Sequence, residues 1–150
     1  MNSLHETNIA LFKTLKELHL PIGKFVVFGS GAMLARDLSE GRDLDVLVTD
    51  ELFQEYRNKP KWKIKKTDLD VYLCKDSIEL WNIWRPGTWD TRELINNAEM
   101  IDDIPFVSLE TTLRWKKMRG SEKDLMHALV IESYLKKNTT TQRGQNTSSL

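Results

Sequence analysis

The chain has 150 residues, enough to bury one sizeable core but short for two domains. Its 22 Lys and Arg balance 22 Asp and Glu, so no whole-chain field draws it to nucleic acid or an anionic membrane, although a local basic groove is compatible with that total. The single Cys74 excludes an intramolecular disulfide and suits a reducing compartment. No apolar stretch approaches a membrane span or a signal-peptide core, so a cytoplasmic chain with no membrane partner is expected.

Ser3-Leu4-His5-Glu6 has the form of a capping box, and Ile9, Leu11, Phe12, Leu15 and Leu18 follow at helical spacing until Pro21 and Gly23. Lys24 to Phe28 is a β-branched and aromatic run that reads as a buried strand, and Gly29-Ser30-Gly31 then turns into a short helix. Asp43 to Thr49 is a second strand, with Leu44, Val46 and Val48 on one face and Asp43, Asp45 and Leu47 on the other. Asp50 caps a helix through about Arg57, which Pro60 ends.

The stretches "KWKIKK" and "DLDVYLC" read as strands, either a hairpin or one bent strand. Asp76 to Glu79 and Asp90 to Glu93 match the capping box again, so helices are expected at both. Trp81, Trp84 and Trp89 lie between them; they could stack a base or line an acceptor pocket, but core or lid packing is the safer reading. "IPFVS" is expected as an edge strand. Ser108 caps a helix to about Arg119, Gly120 breaks it, and Ser121 opens a last helix to about Lys136. Residues 137–150, with Leu150 as their one apolar side chain, predict a disordered tail. The order predicts an α+β domain over residues 1–136, with a mixed sheet over about 24–73 flanked by helices and a mainly helical part over about 76–136.

Asp43 and Asp45, two apart in a strand, leave the same face ~6.5–7 Å apart along the backbone. Two carboxylates that close repel, and a cation relieves them; Mg²⁺ in particular prefers a few carboxylates plus substrate phosphates. A second "DLDV" places Asp68 and Asp70 on one face of another strand, Asp70 deeper in its apolar run and Asp68 at the solvated start. If the two strands pair, three or four carboxylates converge. Gly29-Ser30-Gly31, between a strand and a helix, aims backbone N–H groups and the Ser30 hydroxyl at one concavity suited to phosphate oxygens. A dinucleotide fingerprint would need glycine at Leu34, and the Gly-Lys-Ser/Thr of a P-loop is absent.

Gly29-Ser30, twelve intervening residues, Asp43-Leu44-Asp45-Val46 and a later Leu69-Asp70-Val71 resemble, in order and spacing, the motifs of the DNA polymerase β-type nucleotidyltransferase superfamily. The stretch from Ile101 to Leu135 is similar to the helical part of small bacterial members, including the abortive-infection nucleotidyltransferase toxins, although the further Asp those relatives carry after "KD" is missing here. The resemblance implies transfer of a nucleoside monophosphate from an NTP to an acceptor hydroxyl or phosphate, with release of pyrophosphate. It implies that Asp43, Asp45 and Asp70 hold two Mg²⁺ ions, with Mn²⁺ as a substitute, and that Asp70 helps deprotonate the acceptor. Gly29 and Ser30 would position the β- and γ-phosphates, and Lys116, Lys117 or Arg119 would neutralise the leaving pyrophosphate. As residues these three cations read more readily as surface groups at the end of a helix, Asp124 reads as a helix cap, and His127 reads as structural. The acceptor stays open between a small molecule, tRNA and a protein side chain, as does the oligomeric state. A reading of another class is a catalytically silent NTP-binding or antitoxin-type partner module on the same fold.

Overall fold

In the computed structural model, residues 5–148 are described, with side chains through residue 138. Helix α1 (Glu6–Glu17) leads into β1 (Phe25–Val27), α2 (Gly31–Ala35), β2 (Leu44–Val48) and α3 (Asp50–Arg57). Three strands follow, β3 (Lys63–Lys66), β4 (Val71–Lys75) and β5 (Ile78–Trp81), then α4 (Thr91–Asn96). A hairpin of β6 (Glu99–Ile101) and β7 (Ile104–Phe106) precedes α5 (Leu109–Arg119) and α6 (Glu122–Ser148). The strands form one mixed sheet in the order β3-β4-β5-β2-β1-β7-β6. Pairing is antiparallel except at β2–β5 and β1–β7. The class is the expected α+β, with a helical C-terminal part.

Alternation along β2 divides the core. Leu44, Val46 and Val48 pack on one face with Leu11 and Leu15 of α1 and Leu52 and Phe53 of α3. Leu47 points to the other face, with Val26, Phe28, Trp84, Ile95 of α4 and Trp115 of α5. Burying each such side chain contributes about 1.5–3 kcal/mol. The tryptophans at 84 and 89 are packed, stacked 4.4 Å apart, as expected.

Pairing overrides local signals at several places. The Asp76–Glu79 box starts no helix: Asp76 and Ser77 are the two-residue turn between β4 and β5. Asp76 has φ 53°, a left-handed conformation that Asp tolerates, and the alternating Ile78 and Leu80 are buried as strand residues. The 104–106 strand is not an edge but lies between β1 and the unexpected β6. Asp102 and Asp103 join β6 to β7 with φ of 50° and 65°, the geometry of a tight hairpin. Asp68 and Asp70 do not share a strand face; they sit in the turn before β4, where Thr67 Oγ1 accepts the N–H groups of Leu69 and Asp70 at 3.3 and 3.0 Å.

Among the caps, Asp90 and Ser108 accept the N–H groups of Glu93 and Thr111, and Gly120 ends α5 at φ 68°. Thr49, not Asp50, caps α3. His5 stands before α1, and Ser3 lies outside the described residues. Helix α6 continues past the expected end near Lys136 to Ser148; of the predicted disordered tail, residues 149–150 and the side chains from 139 onward lie outside the described residues. Among the described residues no helix is long and apolar enough to cross a membrane.

The phase of α1 also differs from expectation. Ile9 is half exposed and Asn8 is fully buried. Its side-chain amide donates to the Ser39 carbonyl at 2.8 Å and the Leu34 carbonyl at 3.4 Å, and its oxygen accepts from Gly41 N–H at 3.1 Å. Asn8 thus pins the loop that delivers Asp43. Asn8→Ala leaves these buried groups unpaired and should cost about 1–3 kcal/mol. Thermal denaturation should show a drop of about 2–4 °C for each kcal/mol lost, with Ile9→Ala nearly silent.

Candidate active site

The site is built where β1 ends beside β2. Phe28 N–H donates to the Asp45 carbonyl at 3.0 Å, extending the strand pair by one step. The chain then turns at Gly29, whose φ is 65°. A Cβ there would stand 2.9 Å from Asp45 Oδ2, so the absent side chain leaves the space that this carboxylate occupies. Gly31 begins α2 pressed onto β1, where a Cβ would collide with the Val27 side chain. With only five residues, α2 brings little dipole of its own. What faces the concavity from the turn is the Ser30 hydroxyl and backbone.

Parallel pairing of β2 with β5 sets Asp45 opposite Glu79. Asp43, Asp45 and Glu79 line one cavity of about 570 Å³ together with Ser30, Gly31 and His127. Asp43, expected on the strand, lies just before it, but both acids reach this cavity. Asp70 joins them less directly. It lies in the turn before β4, accepts from Arg85 Nε at 2.8 Å, and lines a second cavity of about 400 Å³ with Asp68, Trp81, Arg85 and Arg119. Asp45 borders both cavities.

Glu79 is the acidic residue that the sequence reading passed over. Its signal was present as Ile78-Glu79-Leu80, an acid between apolar residues, but the capping-box form at Asp76 assigned that stretch to a helix. Trp81 Nε1 donates to Glu79 Oε1 at 3.3 Å. Burial, then the charge and hydrogen bond of Glu79, then the charge of Asp43, push the Asp45 carboxyl up to about 7. A carboxyl whose pKa is raised by burial and neighbouring acids marks a place where a cation would be welcome. Among the described residues no three His, Cys, Asp or Glu side chains are already gathered to hold a metal ion. Asp43 is exposed and able to turn.

Behind the Ser30 turn stands Lys116, buried at 3% exposure. Its ammonium donates to Ser30 Oγ at 2.7 Å and lies 3.6 Å from Asp124 Oδ1. Burial lowers its pKa to about 8, Asp124 opposing the fall and Arg119 adding to it. Asp124 is both cap and counter-ion: its N–H donates to Ser121 Oγ at 3.1 Å, and it accepts from the Ser121 hydroxyl at 2.7 Å. Arg119 reaches Asp124 at 3.4 Å and covers the Trp115 ring. Lys117 is not part of this group, since it is exposed and pairs with Glu132 at 3.1 Å. His127 Nδ1 is buried without a hydrogen-bond partner among the described residues. Burial, then Lys116 and Lys123, lower its pKa, so the cavity wall holds a neutral imidazole with an unmet polar atom.

The raised Asp45 pKa has a consequence for stability. The unfolded carboxyl releases its proton near 3.8 and the folded one near 7. Between those values the folded chain binds more protons, so stability should fall as pH rises through that window. Denaturant midpoints across the window should show the fall, Asp45→Asn should flatten it, and added Mg²⁺ should raise the midpoint more above the window than below it. Gly29→Ala should cost about 1–2 kcal/mol from the left-handed backbone alone, and should weaken that Mg²⁺ effect because the new methyl group displaces the Asp45 carboxylate.

Comparison with protein-family models, with curated proteins and with solved structures finds no match.

Proposed function

We propose that the chain is a Mg²⁺-dependent nucleotidyltransferase that moves a nucleoside monophosphate from an NTP to an acceptor and releases pyrophosphate. The observation that carries this reading is a single cavity lined by four carboxylates, Asp43, Asp45, Glu79 and Glu40, together with Ser30, whose hydroxyl accepts from the buried Lys116. Phosphoryl transfer asks little covalent chemistry of a protein; it needs an aligned acceptor and neutralised charge.

Asp43, Asp45 and Glu79 are the residues that would hold Mg²⁺, and the charge of Asp43 and Glu79 at Asp45 favours a divalent cation there. When bound, the ions would neutralise the triphosphate and lower the pKa of the acceptor hydroxyl. Ser30 and the backbone at Gly29 would seat phosphate oxygens. Lys116, held by Asp124, would set a positive charge behind them, and the unpartnered His127 nitrogen gives the same wall a further polar contact. Arg119 faces the second cavity, so its role is on the acceptor or base side rather than at the pyrophosphate. Asp70, held by Arg85, would shape that second cavity, and Glu79 replaces it as the third acid.

The test is incorporation of labelled NTP into acceptors from total cell RNA, protein and small molecules. Asp43→Asn, Asp45→Asn and Glu79→Gln should each lower labelling by about 10²–10³-fold, the scale for losing one group that stabilises developing charge. Asp70→Asn should lower it far less. Full activity in Asp45→Asn would remove the proposal, and metal-independent NTP binding without turnover would favour the silent module.

A further inference from the structure

Charge is neutral in total but unevenly placed. Residues 57–66 carry Arg57, Lys59, Lys61, Lys63, Lys65 and Lys66, six of the 22 basic residues, and no acid. All six are exposed, and none forms an ion pair among the described residues. The last three lie on β3, the edge of the sheet, paired only with β4 and uncovered on both faces.

Strand register connects this edge to the candidate active site. Lys63 stands opposite Cys74, Cys74 opposite Glu79, and Glu79 opposite Asp45. One row over, Lys65 stands opposite Tyr72, and Trp81 opposite Leu47. Tyr72 and Trp81 stack 4.3 Å apart and 9° from parallel. Residues directly opposite across strands share a face. Lys63, Lys65, the two stacked rings and the Asp45–Glu79 pair therefore occupy one side of the sheet, across three strand spacings or about 14 Å.

We propose that this face binds a single-stranded nucleic acid, with phosphates along Lys63 and Lys65, a base on the Tyr72–Trp81 stack, and one end of the strand at Asp45 and Glu79. The proposal deepens the nucleotidyltransfer reading by naming the class of acceptor, and it rests on that reading for what happens at the end of the strand. Single-stranded binders combine a basic track with aromatic rings on which bases stack, and a duplex hides the ring faces such a stack requires. An anionic membrane would use the lysines alone and would meet the acid pair on the same face.

Fluorescence anisotropy of a labelled single-stranded RNA of about 12 nucleotides, without NTP or Mg²⁺ and across a salt series, tests the surface. Affinity should fall linearly with the logarithm of salt concentration. The double variant Lys63→Gln with Lys65→Gln should weaken binding about tenfold or more and lower the salt slope by about 1.4, near 0.7 for each phosphate contact. Tyr72→Ala should weaken binding without changing the slope, and Lys66→Gln, on the opposite face, should do much less than either lysine. No binding, equal losses for Lys63→Gln and Lys66→Gln, or a preference for duplex RNA or phosphatidylserine vesicles overturns the proposal. Labelling of a small molecule or protein with no RNA binding overturns it while leaving the nucleotidyltransfer reading intact. RNA binding by this face without any NTP transfer upholds the surface and removes that reading.

Discussion

A buried ammonium has to be matched where it lies, because leaving it uncompensated is far more costly than any single packing defect. Lys116 comes from α5, and its partners come from distant parts of the chain: Ser30 in the turn after β1 and Asp124 in the first turn of α6. This one charge therefore joins the helical part to the sheet. α5 cannot slide along the sheet without separating Lys116 from Ser30, and α6 cannot undock without removing the carboxylate that offsets both Lys116 and Arg119. Packing of Ala32, Met33, Leu109 and Ile131 completes the same junction. The turn that faces the acids is thus held by a charge network and an apolar cluster together.

Asp45 occupies the corresponding position on the sheet side. It borders both cavities, one floored by the Ser30 turn and the other walled by aromatic and basic side chains. Group transfer requires two molecules to meet at one point, and a carboxylate shared by two adjoining cavities is an economical way to provide it. The neighbouring charge of Glu79 and the close approach to Gly29 leave the Asp45 carboxylate little room to move. Asp43, one residue earlier and exposed, keeps freedom that Asp45 has lost.

Much of this was legible from local signals. The Gly-Ser-Gly turn and the caps at Asp90 and Ser108 depend on interactions a few residues apart, and they form as read; Asp43 and Asp45 reach one cavity, although Asp43 precedes β2 rather than lying on it. Glu79 was hidden because its importance depends on which strands are neighbours. The Asp76 box and the β4–β5 turn use the same residue types, and only the buried alternation of Ile78 and Leu80 decides between them. The second "DLDV" misled for the converse reason: its acids resemble those of β2, but Thr67 draws their backbone into a turn. Asn8 was missed because its partners at Ser39 and Gly41 are more than thirty residues away. The neutral total charge concealed the basic edge strand in the same way, since a sum carries no positions.

The turn between β3 and β4 carries a consequence of its own. Thr67 N–H donates to the Asp70 carbonyl at 2.8 Å, and Thr67 Oγ1 accepts the N–H of Asp70, which closes the turn at a fixed length. Strand side chains alternate with period two, so a slip of one residue moves each to the opposite face. Inserting or deleting a single residue in this turn would carry Lys63 and Lys65 to the far side and bring Ile64 and Lys66 to the near one. The composition would hardly change and β4 would stay in place, yet the row that starts at the edge and ends at Asp45 would lose its charge. This short turn acts as a phase marker for the whole open half of the sheet.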